Sequence, residues 1–367
     1  MEALDSSVSP PARVAELGEG ISIDELRLAA RNHGMPLEAL RYDVTPVGLH
    51  YLLTHYDIPH VDPDTWRLSI SGNVEHPLTL GLDDVRSRES VTRRITLECA
   101  GNGRARLTPR PVSQPWVDEA VGTAEWTGTP LAPVLREAGL HPSAVDVAFT
   151  GADHGVERGV EQTYQRGLRL AEALREDVLL VYGMNGQPLP PQHGAPLRLL
   201  VPGWYGMAQV KWLTDVRVLD AAFDGYQNIT AYRLKQDPDE PGEPVTRIRP
   251  RALLQPPGFP DFQTRTRIVE RGTHLLSGRA WSGWGQVTRV DVSVDGGQTW
   301  HEARLGPRPD QFEWRQWQWS WDAHAQGQVE LCVRASDAAG NVQPVEQMWN
   351  RQGTANNHVQ RVTVVVR

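Results

Sequence analysis

The sequence predicts an α+β domain with a mixed, mostly antiparallel sheet, followed by an all-β sandwich of immunoglobulin-like kind. Three observations predict it. The chain has 367 residues, more than one ordinary core fills, so two domains are expected. Its first part mixes short β-branched runs with helical stretches and many Gly and Pro punctuators. A proline-dense connector at 236–262, "QDPDEPGEPVTRIRPRALLQPPGFPD", then gives way to almost unbroken strand signal. The expected divisions are an N-terminal extension over 1–37, a catalytic domain over 38–242 and the sandwich over 243–367.

The elements follow in chain order. The start, "MEALDSSVSPPARVAELGEG", is acidic and Pro/Gly-rich with neither a basic n-region nor an apolar h-region, which predicts a mature cytoplasmic protein, with a periplasmic one trimmed of its leader as the alternative. "DTWRLSISGNV" alternates like a strand running into a turn. "TPLAPVLREAGL" reads as a short helix capped by Thr129 and stopped by Gly139. Three apolar runs between 177 and 220 are separated by the turns "MNGQ", "HGAP" and "PGWYG". Beyond the connector, "TRVDVSVDGGQTWHEARL" is a strand, an Asp-Gly-Gly turn and a return strand. "FEWRQWQWSWDA" places Trp317, Trp319 and Trp321 on one face at period two. That stripe predicts a filled sandwich core, with a sugar-binding platform as the rival reading. "QVELCVRASDAAGNVQP" and "HVQRVTVVVR" complete the set, and Cys332 reads as a buried small hydrophobe on a strand.

Composition narrows the chemistry. A net charge of -8 argues against nucleic acid as a partner. No apolar run approaches the roughly 18 to 20 residues of a membrane-spanning helix. Two cysteines, Cys99 and Cys332, make no disulfide framework, and neither zinc spacing nor a Gly-rich phosphate loop is present. Of 37 basic residues only two are lysines, Lys211 and Lys235. A lysine kept among so many arginines marks a position suited to a compact ammonium. Cys99 lies in "RITLECAGNGRARL", at the mouth of a glycine turn beside arginines. It can be a buried core residue, a nucleophilic thiolate or a ligand to a soft metal. The nucleophile needs a base, and the local sequence supplies none.

"LECAGNGR" resembles the cysteine loop of the sulfite oxidase family. "TPVGLHYLLTHYDIPHVDPDTWRLSISG" resembles the family's leading motif, and "VYGMNGQPLPPQHGAPLRLLVPGWYGMAQVKWL" its pterin-binding core. "MWNRQGTANNHVQRVTV" resembles the closing motif of its dimerisation domain. The resemblance runs through residues 38 to 367 in order. It implies molybdenum held by the Cys99 sulfur, with the rest of the coordination from a molybdopterin dithiolene and oxo groups. It implies pterin contacts from His55, Asp153, His193, Arg198 and Lys211, the last three suiting a phosphate. Tyr232, Trp116 and Arg104 fall on a pocket above the metal, with Arg104 facing a small anionic substrate. The implied reaction is two-electron oxidation of sulfite to sulfate, with electrons passing to an external acceptor and a homodimer formed through the sandwich. A reductase of an S-oxide or other oxo-anion on the same scaffold is the alternative, and a non-catalytic carbohydrate-binding adhesion protein is the rival of another class.

Two departures stand out. The family's Arg-Asn-His is here Leu53-Thr54-His55, and an upstream Arg31-Asn32-His33 is set aside because it precedes Thr45-Pro46. The closing motif reads Trp349-Asn350-Arg351-Gln352-Gly353, with Gln352 where an arginine is usual. Neighbours on an extended chain face opposite ways, so Arg351 is expected to point away from the pocket.

Overall fold

The computed structural model describes residues 12–367. The first domain rests on two five-stranded sheets. In one the order is Leu78–Leu80, Leu68–Gly72, Leu213–Leu219, Asp146–Glu157, Val160–Arg169. Only Leu68–Gly72 against Leu213–Leu219 is parallel among its pairs. The other sheet runs Val91–Glu98, Val121–Pro130, Leu179–Met184, Gln187–Pro188, with Arg198–Leu200 also paired to Leu179–Met184. All its pairs are antiparallel. A mixed, mostly antiparallel architecture is therefore what the strand-rich pattern produces.

Val91–Glu98 positions the site. Its first residues are open to solvent and its last four, Ile95 to Glu98, are buried, so it carries the chain from the surface to the middle of the molecule. There Cys99 joins Tyr51, Leu97, Trp116 and Trp126 in one apolar cluster.

The helix after Thr129 spans Leu131–Glu137. Thr129 is not its cap: Pro130 holds that position without a side-chain bond, and the Thr129 hydroxyl donates to Val85 O at 2.9 Å. Pro130 presets the turn into the helix, which leaves the threonine free to bond elsewhere. Gly139, at φ 72°, does end the helix.

The C-terminal part is all β. A sheet in the order Arg251–Leu254, Gly272–Trp281, Arg315–Ala323, Arg304–Leu305 faces a six-stranded sheet that includes Val287–Ser293, Gly327–Asp337 and Gln360–Val366. Arg251–Leu254 is a buried strand inside the segment that reads as a connector, because its neighbouring prolines mask four residues of strand signal. Trp317 and Trp321 are core residues, while Trp319 is partly buried and stacks on His301 at 5.4 Å between centroids. The stripe is packing. Trp281 and Trp314 leave the sandwich side and join the first domain's largest apolar cluster, so the two units share a core at their junction. Among the described residues no helix is long and apolar enough to cross a membrane.

Candidate active site

Where Val91–Glu98 ends, a cavity of about 680 Å³, open mouth included, is walled by the 50–55 segment, the 193–211 segment and Tyr232. It brings together Cys99, His55, Asp153, His193, Arg198, Lys211 and Tyr232 from positions scattered through the first domain. Arg104 and Trp116 do not line it. Arg104 is buried behind Cys99, with Nε donating to Gln352 O at 3.0 Å and Nη1 to Gln114 O at 3.1 Å. The Trp116 indole N–H is buried and turned toward the Cys99 sulfur, where it favours the thiolate.

Local backbone explains the gathering. Gly194, at φ 106°, lies so near Lys211 that an added Cβ would meet its Cβ at 2.9 Å. Only glycine lets His193 and Lys211 approach one another. Gly103 turns the cysteine loop at φ 86°, and the Cys99 sulfur accepts from Gly101 N–H at 3.4 Å.

The electrostatics are lopsided. Burial brings the Arg198 guanidinium down to about 10 and the Lys211 ammonium to about 7. Burial, reinforced by neighbouring cations, holds His193 neutral at about 2, and burial likewise takes His50 to about 4. Arg198 donates only to carbonyls, His193 O at 2.9 Å and Gln209 O at 3.3 Å, and lies over the Trp126 ring at 4.9 Å. Lys211 donates to Leu53 O at 2.8 Å and Gln192 O at 3.0 Å. Among the described residues neither is in an ion pair. Asp153 rises to about 6 because burial outweighs the pull of Lys211 and His55. His55 Nε2 pairs with Glu157 Oε2 at 2.9 Å, and that bond, working against burial, takes Glu157 to about 2. Burial pushes the Cys99 thiol up despite Arg104, and lifts the Tyr232 phenol well above its ordinary value.

Sequence reasoning missed two contributors. His50 lines the cavity edge-on to His193, 5.6 Å between centroids, with Nε2 buried and unpartnered. Its place before Tyr51 gave no motif to find it by. The set-aside Arg31-Asn32-His33 is beside the site after all. His33 and Leu52 exchange two backbone bonds, Thr54 N donates to Asn32 Oδ1 at 2.7 Å, and Arg31 donates to Tyr56 O. Segment 349–353 is a turn rather than an extended strand, closed by Gly353 N to Asn350 O. Gln352 is consumed there: its Oε1 accepts from Arg233 N and its Nε2 donates to Thr230 O.

The residues fit a large anionic ligand that brings metal coordination with it. His50 Nε2, Arg198 Nε and Asp153 Oδ1 are buried atoms on the wall with no partner. Buried polar groups ordinarily have one, so three together mark the imprint of a polar ligand. No three His, Cys, Asp or Glu side chains converge as a metal site among the described residues. A metal at Cys99 thus needs the remaining ligands from a non-protein group, which a dithiolene supplies.

Comparison with known proteins decides the family. An oxidoreductase molybdopterin binding domain matches residues 55–227, and a Mo-co oxidoreductase dimerisation domain matches 260–367. The chain belongs to the sulfite oxidase and nitrate reductase family of molybdenum-cofactor oxidoreductases. It is 36% identical to mitochondrial sulfite oxidase of Homo sapiens over 348 residues, covering 88% of this chain and 62% of that one. It is 32% identical to nitrate reductase [NADH] 1 of Oryza sativa subsp. japonica over 346 residues, covering 86% of this chain and 37% of that one. The chain therefore spans less than two thirds of the length of these relatives. The crystal structure of the sulfane dehydrogenase SoxCD from Paracoccus pantotrophus superposes with a TM-score of 0.79 at 25% identity, over 97% of this chain and 90% of that one. The family's cofactor is the molybdopterin-type molybdenum cofactor, and the orphaned atoms lie on the wall that would face it.

Proposed function

We propose that the chain oxidises a small sulfur oxyanion, sulfite first, and passes the electrons to an external acceptor while working as a homodimer through its sandwich. The balance is sulfite plus water to sulfate, two protons and two electrons. The observation that carries the reading is a single cysteine on the wall of a cavity that also presents two basic side chains outside any ion pair among the described residues, Arg198 and Lys211, beside unpartnered His50. The bound cofactor supplies the two-electron redox chemistry.

The chain's own residues do the rest. His193, Arg198 and Lys211 would bind phosphate and pterin, the imidazole as a neutral donor or acceptor. Asp153 would accept from a pterin N–H. Cys99 would hold the metal as thiolate, which coordination favours over the buried thiol. Tyr232, whose raised pKa keeps the phenol protonated, donates to the oxyanion. Arg104 adds positive charge from behind Cys99. The bond to Glu157 Oε2 fixes the His55 imidazole at the wall.

Sulfite meets fewer guanidinium forks than the family provides. Leu53 lines the cavity without charge, and the Gln352 amide is occupied. Each charge-assisted hydrogen bond is worth roughly 1.5 to 3 kcal/mol, so sulfite should turn over with a KM well above the low micromolar range. The rice relative favours a second reading, oxo-anion reduction. Metal-replete protein assayed with sulfite and a panel of acceptors, and in parallel with nitrate and reduced dyes, separates them. Nitrate turnover without sulfite turnover overturns the first reading, and a molybdenum content near zero in matured protein overturns both.

A further inference from the structure

The loop that carries Cys99 is gripped from the other domain, residue by residue. Glu98, just before the cysteine, accepts at Oε1 from Arg251 Nη1 (3.2 Å) and Asn102 Nδ2 (3.0 Å), and at Oε2 from Trp281 Nε1 (2.8 Å). Arg251 and Trp281 are cross-strand partners in the sandwich. Arg251 has 0% exposure; its other contacts are Asp118 Oδ1 at 2.8 Å and Asn356 O at 2.8 Å. After the cysteine, Ala100 O accepts from Ala355 N at 2.7 Å and Gly103 O from Asn356 Nδ2 at 2.7 Å. An added Cβ on Gly103 would meet that Nδ2 at 2.9 Å, so side chain and loop are in direct contact.

We infer that Arg251 and Asn356 are positioning residues for the metal ligand, and that the sandwich forms one half of the clamp that holds Cys99 at the cavity. The first domain holds the loop through Cys99 N to Ala120 O at 2.9 Å, Asn102 Nδ2 to Asp118 O at 3.2 Å and Ala120 N to Asn102 Oδ1 at 3.1 Å. The sandwich supplies the other half, in the carbonyls caught by the 355–356 segment and the carboxylate caught by Arg251 and Trp281. A buried carboxylate held by three donors is costly to move, since any displacement strands a charge. The inference builds on the assignment of Cys99 as metal ligand, yet the clamp can be tested without metal.

The test uses the full-length chain expressed without molybdenum. The alkylation rates of Cys99 and Cys332 are read separately by peptide mass spectrometry. Asn356→Asp keeps the shape but turns the donor to Gly103 O into a repelling oxygen, and Asn356→Ala removes it. Both should raise the Cys99 rate by about tenfold or more while Cys332, buried on Gly327–Asp337, stays as slow as in the unchanged chain, the signature of local opening. Arg251→Lys, which retains charge and loses the fork, should fall between them and the unchanged chain. An unaltered Cys99 rate overturns the clamp, as does a rise shared by Cys332, which reports general loosening. In metal-replete protein the same variants should shift the sulfur-to-molybdenum absorption band and lower kcat with KM held. Faster labelling in a chain that takes up no metal supports the clamp while removing the metal assignment.

Discussion

Arg251 and Arg198 are both buried arginines a short way from Cys99, and they are built oppositely. Arg251 is bracketed by the carboxylates of Glu98 and Asp118. Arg198 meets carbonyl oxygens, a ring face and neutral imidazoles, with no carboxylate in ion-pair range among the described residues. A buried charge with its partners in place is structure, and one without them is available to a ligand. On the proposed function, the difference separates the side of the cysteine loop that holds from the side that would bind.

The strongest way to test that division is at the cysteine between the two. Cys99→Ser exchanges a soft thiolate for a hard, protonated hydroxyl. Turnover should be lost with pterin still bound, because the Arg198 side is untouched. Wild-type turnover and an unchanged sulfur-to-molybdenum band would remove Cys99 from the metal.

The arginines themselves come next. Arg251→Met leaves the Glu98 carboxylate buried without its cation, while Asp118 keeps Arg106, and should cost about 3 to 5 kcal/mol in denaturant unfolding of the metal-free chain. Arg198→Met should be neutral or stabilising by up to roughly 1 to 2 kcal/mol in the same measurement, while pterin content falls. Equal losses at both positions would erase the contrast.

Tyr232 sharpens the binding side. Tyr232→Phe should lower turnover by one to two orders of magnitude, on the order of 1.4 to 3 kcal/mol of transition-state stabilisation, with cofactor content unchanged. An unaltered kcat/KM takes the phenol out of the reaction.

The smallest effect is that of pH. Folded Lys211 gives up its proton at about 7, against 10.5 ordinarily, so between those values the unfolded chain binds more protons. Its contribution therefore makes the metal-free protein more stable as pH rises through that window. A bound anion favours the charged ammonium, so sulfate affinity should weaken as pH rises above 7, by at most about tenfold per unit. Isothermal titration with sulfate at pH 6.5 and 8.5 checks the sign, and Lys211→Met should flatten it.

The receptor side was legible in the sequence and the holding side was not. His193, Arg198 and Lys211 sit within one continuous stretch that resembles the family's pterin-binding core, so the resemblance points to them. The two-layer architecture was legible for a similar reason, since alternation and hairpin turns are short-range signals. Arg251 was hidden in a run of prolines, and its meaning depends on Glu98, 153 residues away. The Arg31–His33 segment was obscured likewise, because its place follows from a single bridge between His33 and Leu52 that no local periodicity announces. The place of Arg104, donating to Gln352 O and Gln114 O rather than lining the cavity, was not legible, because which carbonyls a guanidinium meets is settled by packing.

The bond between Asn356 and Gly103 joins residues 253 apart in a chain of 367. The cysteine loop is therefore made 253 residues before the side chain that fastens it, so a growing chain that has not reached Asn356 carries the loop without this bond.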